Sequence, residues 1–347
     1  MVAATNLTMS AVCHDDPMSL RNQDVLSDPD LTRDDIAHVL KVARRLKRER
    51  AKGDEELRLA NRTIALLFDK PSTRTRAAFQ VAAAHQGAHA NFLAPGSIQL
   101  GKKESVADTA QVLGRMYDAI VYRGGEQSII EDLADHSPAP VINALTDQWH
   151  PTQALADLMT MNENSDKALD EVSCAFVGDT HSNVACSLLI TGARMGLDIR
   201  LVGPEKLWPE KHIVELANET ANESGGQVTL TCEVAEGVAG ADFVYTDVWV
   251  SMGESDQVWQ ERIEMLRDYQ VNAVLMGLTQ NSRTKFMHCL PAFHDTATEV
   301  GKEISKRTGL SALEVTDEVF HSSDSVVFDQ AENRLHTIKA LLVEILS

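Results

Sequence analysis

The run Ile64-Ala65-Leu66-Leu67-Phe68, the pair Lys70-Pro71 and the stretch Ser72-Thr73-Arg74-Thr75-Arg76-Ala77-Ala78-Phe79 read in order as strand, tight turn and helix. The junction decides the fold, because a buried strand feeding a helix is the unit of a parallel α/β sheet. It also carries chemistry. Free backbone N–H groups and the positive end of the helix dipole face whatever sits at the turn. Hydroxyls and guanidinium groups there match phosphate oxygens. A helix start with an ordinary Ser or Thr cap needs no arginines, whereas this one has two within five residues.

Working outward, Thr32 with Asp35 resembles a capping box ahead of Ile36, Val39, Leu40, Ala43 and Leu46, one face of an amphipathic helix. The charged stretch Lys47 to Glu56 reads as a solvated end and loop. Further strands fit Ala119-Ile120-Val121-Tyr122 and Val141-Ile142-Asn143-Ala144. Pro151-Thr152-Gln153 opens a helix with proline in its first turn. The polar stretch Asn162 to Asp170 reads as a boundary loop. After it a second series begins, with a buried strand Val172 to Val177, a turn at Gly178-Asp179 and a helix from Asn183 to Met195. Strands at 199–202, 228–230, 242–245 and 285–288 and a closing helix from Asn333 to Leu346 complete it. The fold class is therefore α/β, with two doubly wound, Rossmann-like parallel-sheet domains and ligands expected outside the carboxyl ends of their strands.

Composition narrows the function. The 347 residues favour two domains, and 44% hydrophobic with 24% charged residues match globular averages. No apolar run approaches the roughly 20 residues of a spanning helix. Residues 1–20 lack the basic and apolar regions of a targeting segment. Five scattered cysteines without a CxxC pair point to a reducing cytoplasm rather than a disulfide framework. A net charge of -19 argues against nucleic acid or an anionic membrane as partner, so a phosphate-bearing substrate requires a local basic patch.

Four further clusters lie at expected strand ends or helix starts. Arg123 follows a strand in Tyr122-Arg123-Gly124. His150-Pro151-Thr152-Gln153 offers an imidazole for an oxyanion and an amide for an amino or carbonyl group. His288-Cys289-Leu290-Pro291 follows another strand. His288, Cys289 and His294 suggest metal ligands, yet no fourth group stands at suitable spacing, and no metal is expected. Asp247 opens a loop through Gly253 whose Trp249, Val250 and Met252 suit a ligand-covering segment, with core packing as the alternative.

These motifs resemble the ornithine carbamoyltransferases over nearly the whole chain. The carrying residues are Ser72 to Arg76, Gly96 to Ser105, Asp108-Thr109-Ala110, Tyr122-Arg123-Gly124, His150 to Gln153, Asp247 to Gly253, His288 to Phe293 and Phe328 to Arg334. The resemblance implies transfer of the carbamoyl group of carbamoyl phosphate to L-ornithine, giving L-citrulline and phosphate. By the same resemblance Ser72, Thr73, Arg74 and Thr75 hold the phosphate. Arg123, His150, Gln153, the Leu290 backbone and Arg334 surround the carbamoyl group, and Gln99 reaches a neighbouring subunit. Asn183, Asp247, Ser251, Met252 and Cys289 take the amino acid. Arg74, Arg123, His150, Asp247 and Cys289 would carry the catalysis. Implied too are a carbamoyl-phosphate domain at 1–155, an ornithine domain at 156–328 and a helix at 329–347 returning to the first. The family is trimeric, sometimes dodecameric, and uses neither metal nor organic cofactor. Ser182 and Cys186 depart from its usual polar pattern around Asn183. Putrescine or another amine as acceptor is the first alternative. A nucleotide-binding regulatory protein is the second, although Gly178-Asp179-Thr180-His181-Ser182 lacks the GxGxxG pattern.

Overall fold

The computed structural model describes residues 20–94, 96, 103–250 and 256–347. The first half builds a parallel sheet from β1 (Thr63–Phe68), β2 (His89–Leu93), β3 (Ala119–Arg123) and β4 (Val141–Leu145), in the order β2-β1-β3-β4. Helices α1 (Arg33–Lys52), α2 (Thr73–His85), α3 (Val106–Met116) and α4 (Gln127–His136) accompany it. The long helix α5 (Pro151–Glu163) leads to a second parallel sheet. Its strands are β5 (Ser173–Val177), β6 (Asp198–Val202), β7 (Gln227–Thr231), β8 (Phe243–Thr246) and β9 (Lys285–His288), ordered β7-β6-β5-β8-β9. Both sheets are doubly wound. The chain steps outward from β1 to β2, then returns to the other side of β1 with β3, and it repeats this move from β5 to β8. Crevices therefore open after β1 and β3 in one lobe and after β5 and β8 in the other.

Burial explains which strands were legible. The inner strands β1 and β5 are almost wholly buried, as a parallel sheet covered on both faces requires. The edge strand β2, His89-Ala90-Asn91-Phe92-Leu93, is largely half-exposed and carries no continuous apolar signal, so its existence was not read from the sequence. The Thr32–Asp35 capping box forms, with Asp35 N donating to Thr32 Oγ1 at 3.2 Å and Thr32 N to Asp35 Oδ2 at 3.0 Å. Helix α1 then runs to Lys52, six residues into the stretch expected as a solvated end. Nor is all of the remainder solvated. The Glu55 side chain is 4% exposed and pairs with the fully buried Lys339. Lys339 lies on α13 (Val327–Leu346), which packs against α1, α2 and α5. Between β5 and α13 run α6 (Asn183–Met195), α7 (Lys211–Ser224), α8 (Val234–Val238), α9 (Asp256–Leu266), α10 (Ala273–Leu278), α11 (Glu299–Thr308) and α12 (Asp317–Phe320). Among the described residues no helix is long and apolar enough to cross a membrane.

One buried carboxyl joins the lobes. Asp28 is wholly buried and accepts from the Ser187 hydroxyl of α6, while Arg194 Nη1 donates to the carbonyl of Pro29 at 3.0 Å. Burial above all, with Asp30 adding, pushes its pKa up to about 7. The folded chain therefore keeps a proton that the unfolded chain loses near pH 4, and stability falls as pH rises from about 4 through about 7. Asp28→Asn is expected to gain stability relative to the parent across that window. Urea midpoints of both proteins at pH 5 and pH 8 check it; a difference independent of pH refutes the linkage.

Candidate active site

Ser72 caps α2 with extended backbone, its hydroxyl accepting from Thr75 N at 3.4 Å. The cap leaves the first turn facing the crevice, where Thr75 is buried. Its hydroxyl receives two guanidinium groups, Arg123 Nη1 at 3.3 Å from the end of β3 and Arg334 Nη2 at 2.7 Å from α13. Arg74 Nη2 crosses to the second lobe and donates to the Leu290 carbonyl at 2.8 Å. The Nε atoms of Arg74, Arg123 and Arg334 are buried with no hydrogen-bond partner. Burial, together with Arg334 and Arg74, lowers Arg123 to about 10. Arg334 falls to about 10 as well, chiefly through burial and with Arg74 contributing. Burial also lowers Arg74, partly offset by Cys289 and Asp247. Three cations drawn into one desolvated place repel one another, and a multiply charged anion relieves that repulsion.

His150 stands beside them at the head of α5, buried, with its backbone N–H donating to Ser187 Oγ at 2.7 Å. Burial first, then Arg334 and Arg123, hold its pKa well below the usual range, so the ring is neutral. A neutral imidazole can donate one hydrogen bond to a developing oxyanion. Gln153, one turn on, donates to Asp157 Oδ1 at 2.7 Å, and its Oε1 is buried without a partner. Asp157 also accepts from Gln330 Nε2 at 2.7 Å and the Tyr245 hydroxyl at 3.0 Å. Its carboxyl rises to about 7 through burial. Gln330 in turn accepts the His288 N–H at 2.9 Å, so a buried chain of amides and one carboxyl links α5, α13 and β9. Sequence reading missed Asp157, Gln330 and Tyr245. A usable signal existed: Asp157 lies four residues after Gln153 in an apolar helix, on the same face.

The opposite wall comes from the ends of β8 and β9. Cys289 Sγ donates to Asp247 Oδ1 at 3.0 Å. Burial and the adjoining Asp247 push the Cys289 pKa well above that of an ordinary thiol, which keeps it protonated. Leu290 adopts a left-handed φ of 59°, unusual for a branched side chain, and this turns its carbonyl toward Arg74. Its N–H donates to His288 Nδ1 at 2.9 Å, while His288 Nε2 faces Glu314 Oε1 at 3.3 Å. Asn183 opens α6 and donates to the Thr146 carbonyl at 2.6 Å, another bond between the lobes.

The structure thus gathers Arg74, Thr75, Arg123, Arg334, Leu290, Cys289 and Asp247 into one linked cluster, with His150 and Gln153 beside it. Ser72 borders the cluster as the cap, and Thr73 is exposed in the first turn. Gln99, Ser251 and Met252 lie outside the described residues. Several expectations need correction. Arg76 turns away from the anion site, stacking 4.0 Å over the Phe92 ring and donating to Gln80 at 3.1 Å. Trp249 and Val250 pack into a core with Leu207, Leu266 and Phe293, the alternative the sequence left open. His294 does not join His288 and Cys289 but bonds Asp317 Oδ1 at 2.7 Å. The unusual Ser182 serves as the α6 cap, accepting from Ala185 N at 3.2 Å, and Cys186 is buried.

Comparison with known proteins bears on this geometry. Residues 23–163 match the family model described as the carbamoyl-P binding domain of aspartate/ornithine carbamoyltransferase. Residues 170–345 match its Asp/Orn binding domain. The chain is 52% identical over 326 residues to a catabolic ornithine carbamoyltransferase of Rhizobium meliloti (strain 1021), covering 94% of this chain and 98% of that one. It is 51% identical over 331 residues to a catabolic ornithine carbamoyltransferase of Pseudomonas putida, covering 95% and 98%. Among solved structures, the ornithine carbamoyltransferase from Pyrococcus furiosus superimposes with a TM-score of 0.85 at 41% identity, over 94% of this chain and 98% of that one.

Proposed function

The chain belongs to the aspartate/ornithine carbamoyltransferase family, and from that premise we propose that its cleft carries carbamoyl phosphate and L-ornithine to L-citrulline and phosphate. One observation carries the reading. Three arginines from three separate elements converge on Thr75 and Leu290 with buried, unpartnered Nε atoms, a set of donors suited to a phosphate dianion.

In this reading Ser72, Thr73, Arg74 and Thr75 hold the phosphate at the head of α2. Arg123, Arg334, neutral His150, Gln153 and the Leu290 backbone surround the carbamoyl group, with Gln99 added from a neighbouring subunit. Asp247, Cys289, Asn183, Ser251 and Met252 take the amino acid. The division at 1–155, 156–328 and 329–347 belongs to the same proposal, supported by the two separate sheets and the contacts of α13 with α1 and α2. The donor is a reactive acyl phosphate, so positioning and charge stabilisation suffice without a covalent intermediate.

The attacking nitrogen must be neutral. With a lysine-like pKa near 10.4, about one amine in 2,500 is neutral at pH 7, a gap of about 4.6 kcal/mol. The arginines disfavour a further cation in the cleft, whereas Asp247 favours one. Cys289 is already protonated and hydrogen-bonded to Asp247, so it orients the carboxylate and is not the resting base. The ammonium therefore releases one proton to solvent before attack, and the second, shed as the new N–C bond forms, leaves with the phosphate. As the N–C bond forms and the C–O bond breaks, Arg74, Arg123 and His150 stabilise the oxyanion on the tetrahedral carbon.

Cys289→Ala is expected to raise the ornithine KM about tenfold, the scale of one hydrogen bond to a charged group, with a smaller loss in kcat and an altered pH profile. Unchanged KM and profile would remove the thiol from the amino-acid site. The whole reading is tested by citrulline formation from carbamoyl phosphate, with ornithine and putrescine compared as acceptors. No citrulline, or a preference for putrescine, overturns it. Both curated relatives are named catabolic, which supports assigning the chain to the arginine deiminase pathway, where citrulline is cleaved by phosphate. Citrulline phosphorolysis measures that direction. Assembly as a homotrimer, or a dodecamer built from it, belongs to this proposal, supported by exposed Val81, Val112 and Met116 on the first lobe. A cytoplasmic setting fits the free Cys174, Cys186, Cys232 and Cys289.

A further inference from the structure

We propose that His294, Asp317 and His321 form a binding site for a divalent transition-metal ion of the zinc class, outside the cleft. His294 lies in the loop after β9. Asp317 and His321 sit four residues apart, at the start and the C-cap of α12. Both imidazoles face the same carboxylate oxygen: His294 Nδ1 is 2.7 Å and His321 Nε2 3.5 Å from Asp317 Oδ1. All three donor atoms lie within 4.8 Å of one another. A tetrahedral ion with bonds of roughly 2.0–2.1 Å sets its ligand atoms roughly 3.3–3.4 Å apart, so small side-chain rotations complete the set. Helical i,i+4 spacing brings His321 to Asp317, and His294 arrives at the same oxygen from a separate loop, so the three donors converge from two segments.

The set is partly preorganised. The His294 ring stacks on Phe320 at 3.8 Å with planes 4° apart, and the His321 ring meets it edge-on at 5.3 Å. The Asp317 and His321 side chains are 58% and 56% exposed, which leaves a bound ion open to water and to exchange. Two imidazoles with one carboxylate suit zinc, cobalt or nickel better than magnesium or calcium. The chain's charge of -19 raises the local concentration of cations. A second group, Asp247, His288 and Cys289, has similar spacing, but it belongs to the cleft already described. Its histidine is also occupied at both nitrogens, by Leu290 N–H and Glu314. An ion on His294 would tie together two arms of the cleft: the loop bearing Leu290, and the helix leading into Gln330 and Arg334 of α13.

The test is a titration of the full-length, chelator-treated protein with Co²⁺, followed by visible absorption and calorimetry. One ion per chain is expected, with a spectrum lacking thiolate-to-metal charge transfer. His321→Ala should weaken binding at least about tenfold, the lower end of what loss of a supporting group costs a metal site. Cys289→Ser should leave binding unchanged. Three results would overturn the site: no binding at millimolar Co²⁺, equal binding by His321→Ala, or a thiolate band that Cys289→Ser abolishes. Because His321 is a surface residue and the readout is binding, failure here leaves the transferase reading standing, and absence of citrulline leaves this site untouched.

Discussion

Arg74→Ala is expected to lower kcat by about 10²–10³-fold, the range seen when one donor to a developing oxyanion is removed. Ornithine KM should move far less, because in the proposed reading the arginine serves the phosphate and carbamoyl groups, while its hydrogen bond to the other wall goes to the Leu290 carbonyl. The physical reason is differential: charge grows on the tetrahedral carbon's oxygen and on the leaving phosphate as the reaction proceeds, so the guanidinium binds the transition state more strongly than the ground state. Arg74→Lys keeps a charge but loses the fork that spans substrate and Leu290, and should fall between the two. Steady-state kinetics with each substrate varied at saturation of the other gives both constants. Turnover within tenfold of the parent in Arg74→Ala would refute the assigned role.

The largest expected effect on stability comes from Lys339→Ala, about 3–5 kcal/mol, the cost of leaving one member of a buried ion pair without its partner. Lys339 is fully buried and Glu55 nearly so, and Glu55 also accepts from Gln86 Nε2 at 2.9 Å. Removing the ammonium leaves that buried carboxylate with the Gln86 amide and the half-exposed Arg50, whose Nη1 stands 3.9 Å from Oε2. The double variant Lys339→Met with Glu55→Gln should recover most of the loss, since neither residue then carries an unpaired charge. Urea unfolding of parent, single and double variants measures it. A single-variant loss under about 1 kcal/mol would show that water reaches the pair and screens it. The same anchor holds α13, five residues from Arg334, so the single variant should also lose turnover.

Much of the architecture was legible because buried strands and first-turn signals are local. Ile64 to Phe68 must be covered on both faces, and a continuous apolar run declares that. Pro151 sits in the first turn of α5 and Asn183 opens α6, both where local rules put them. The edge strand His89–Leu93 was not legible, since half of its surface answers to solvent rather than to packing. The charged stretch Lys47 to Glu56 is largely solvated, as expected, and misled at Glu55 for the complementary reason. Charge predicts solvation only until a partner such as Lys339, far along the chain, arrives to neutralise it.

The candidate site divides in the same way. Residue type and position picked out Arg74, Thr75, Arg123, His150, Asp247 and Cys289 in separate clusters, and the resemblance to the ornithine carbamoyltransferases added Arg334 and drew them into one site. Which of them touch, and in what protonation state, depended on distances that no spacing encodes. Arg76 shares the motif with Arg74, yet helical geometry sends the two to different faces, one to Leu290 and one to Phe92. Trp249 and Val250 looked like a cover and proved to be core, because burial depends on what other segments bring to them.

By itself, then, the sequence determined two doubly wound sheets, the helix start that faces an anion and the residue types that attend it. These follow from period, capping and side-chain chemistry, each of which acts over a few residues. Tertiary structure alone decided that three guanidinium groups share one desolvated place, that His150 is neutral and Cys289 a thiol, and that Asp157 binds the two lobes together. Electrostatic energies fall with distance and grow as water is excluded, and both quantities exist only once segments remote in the chain have closed around one another.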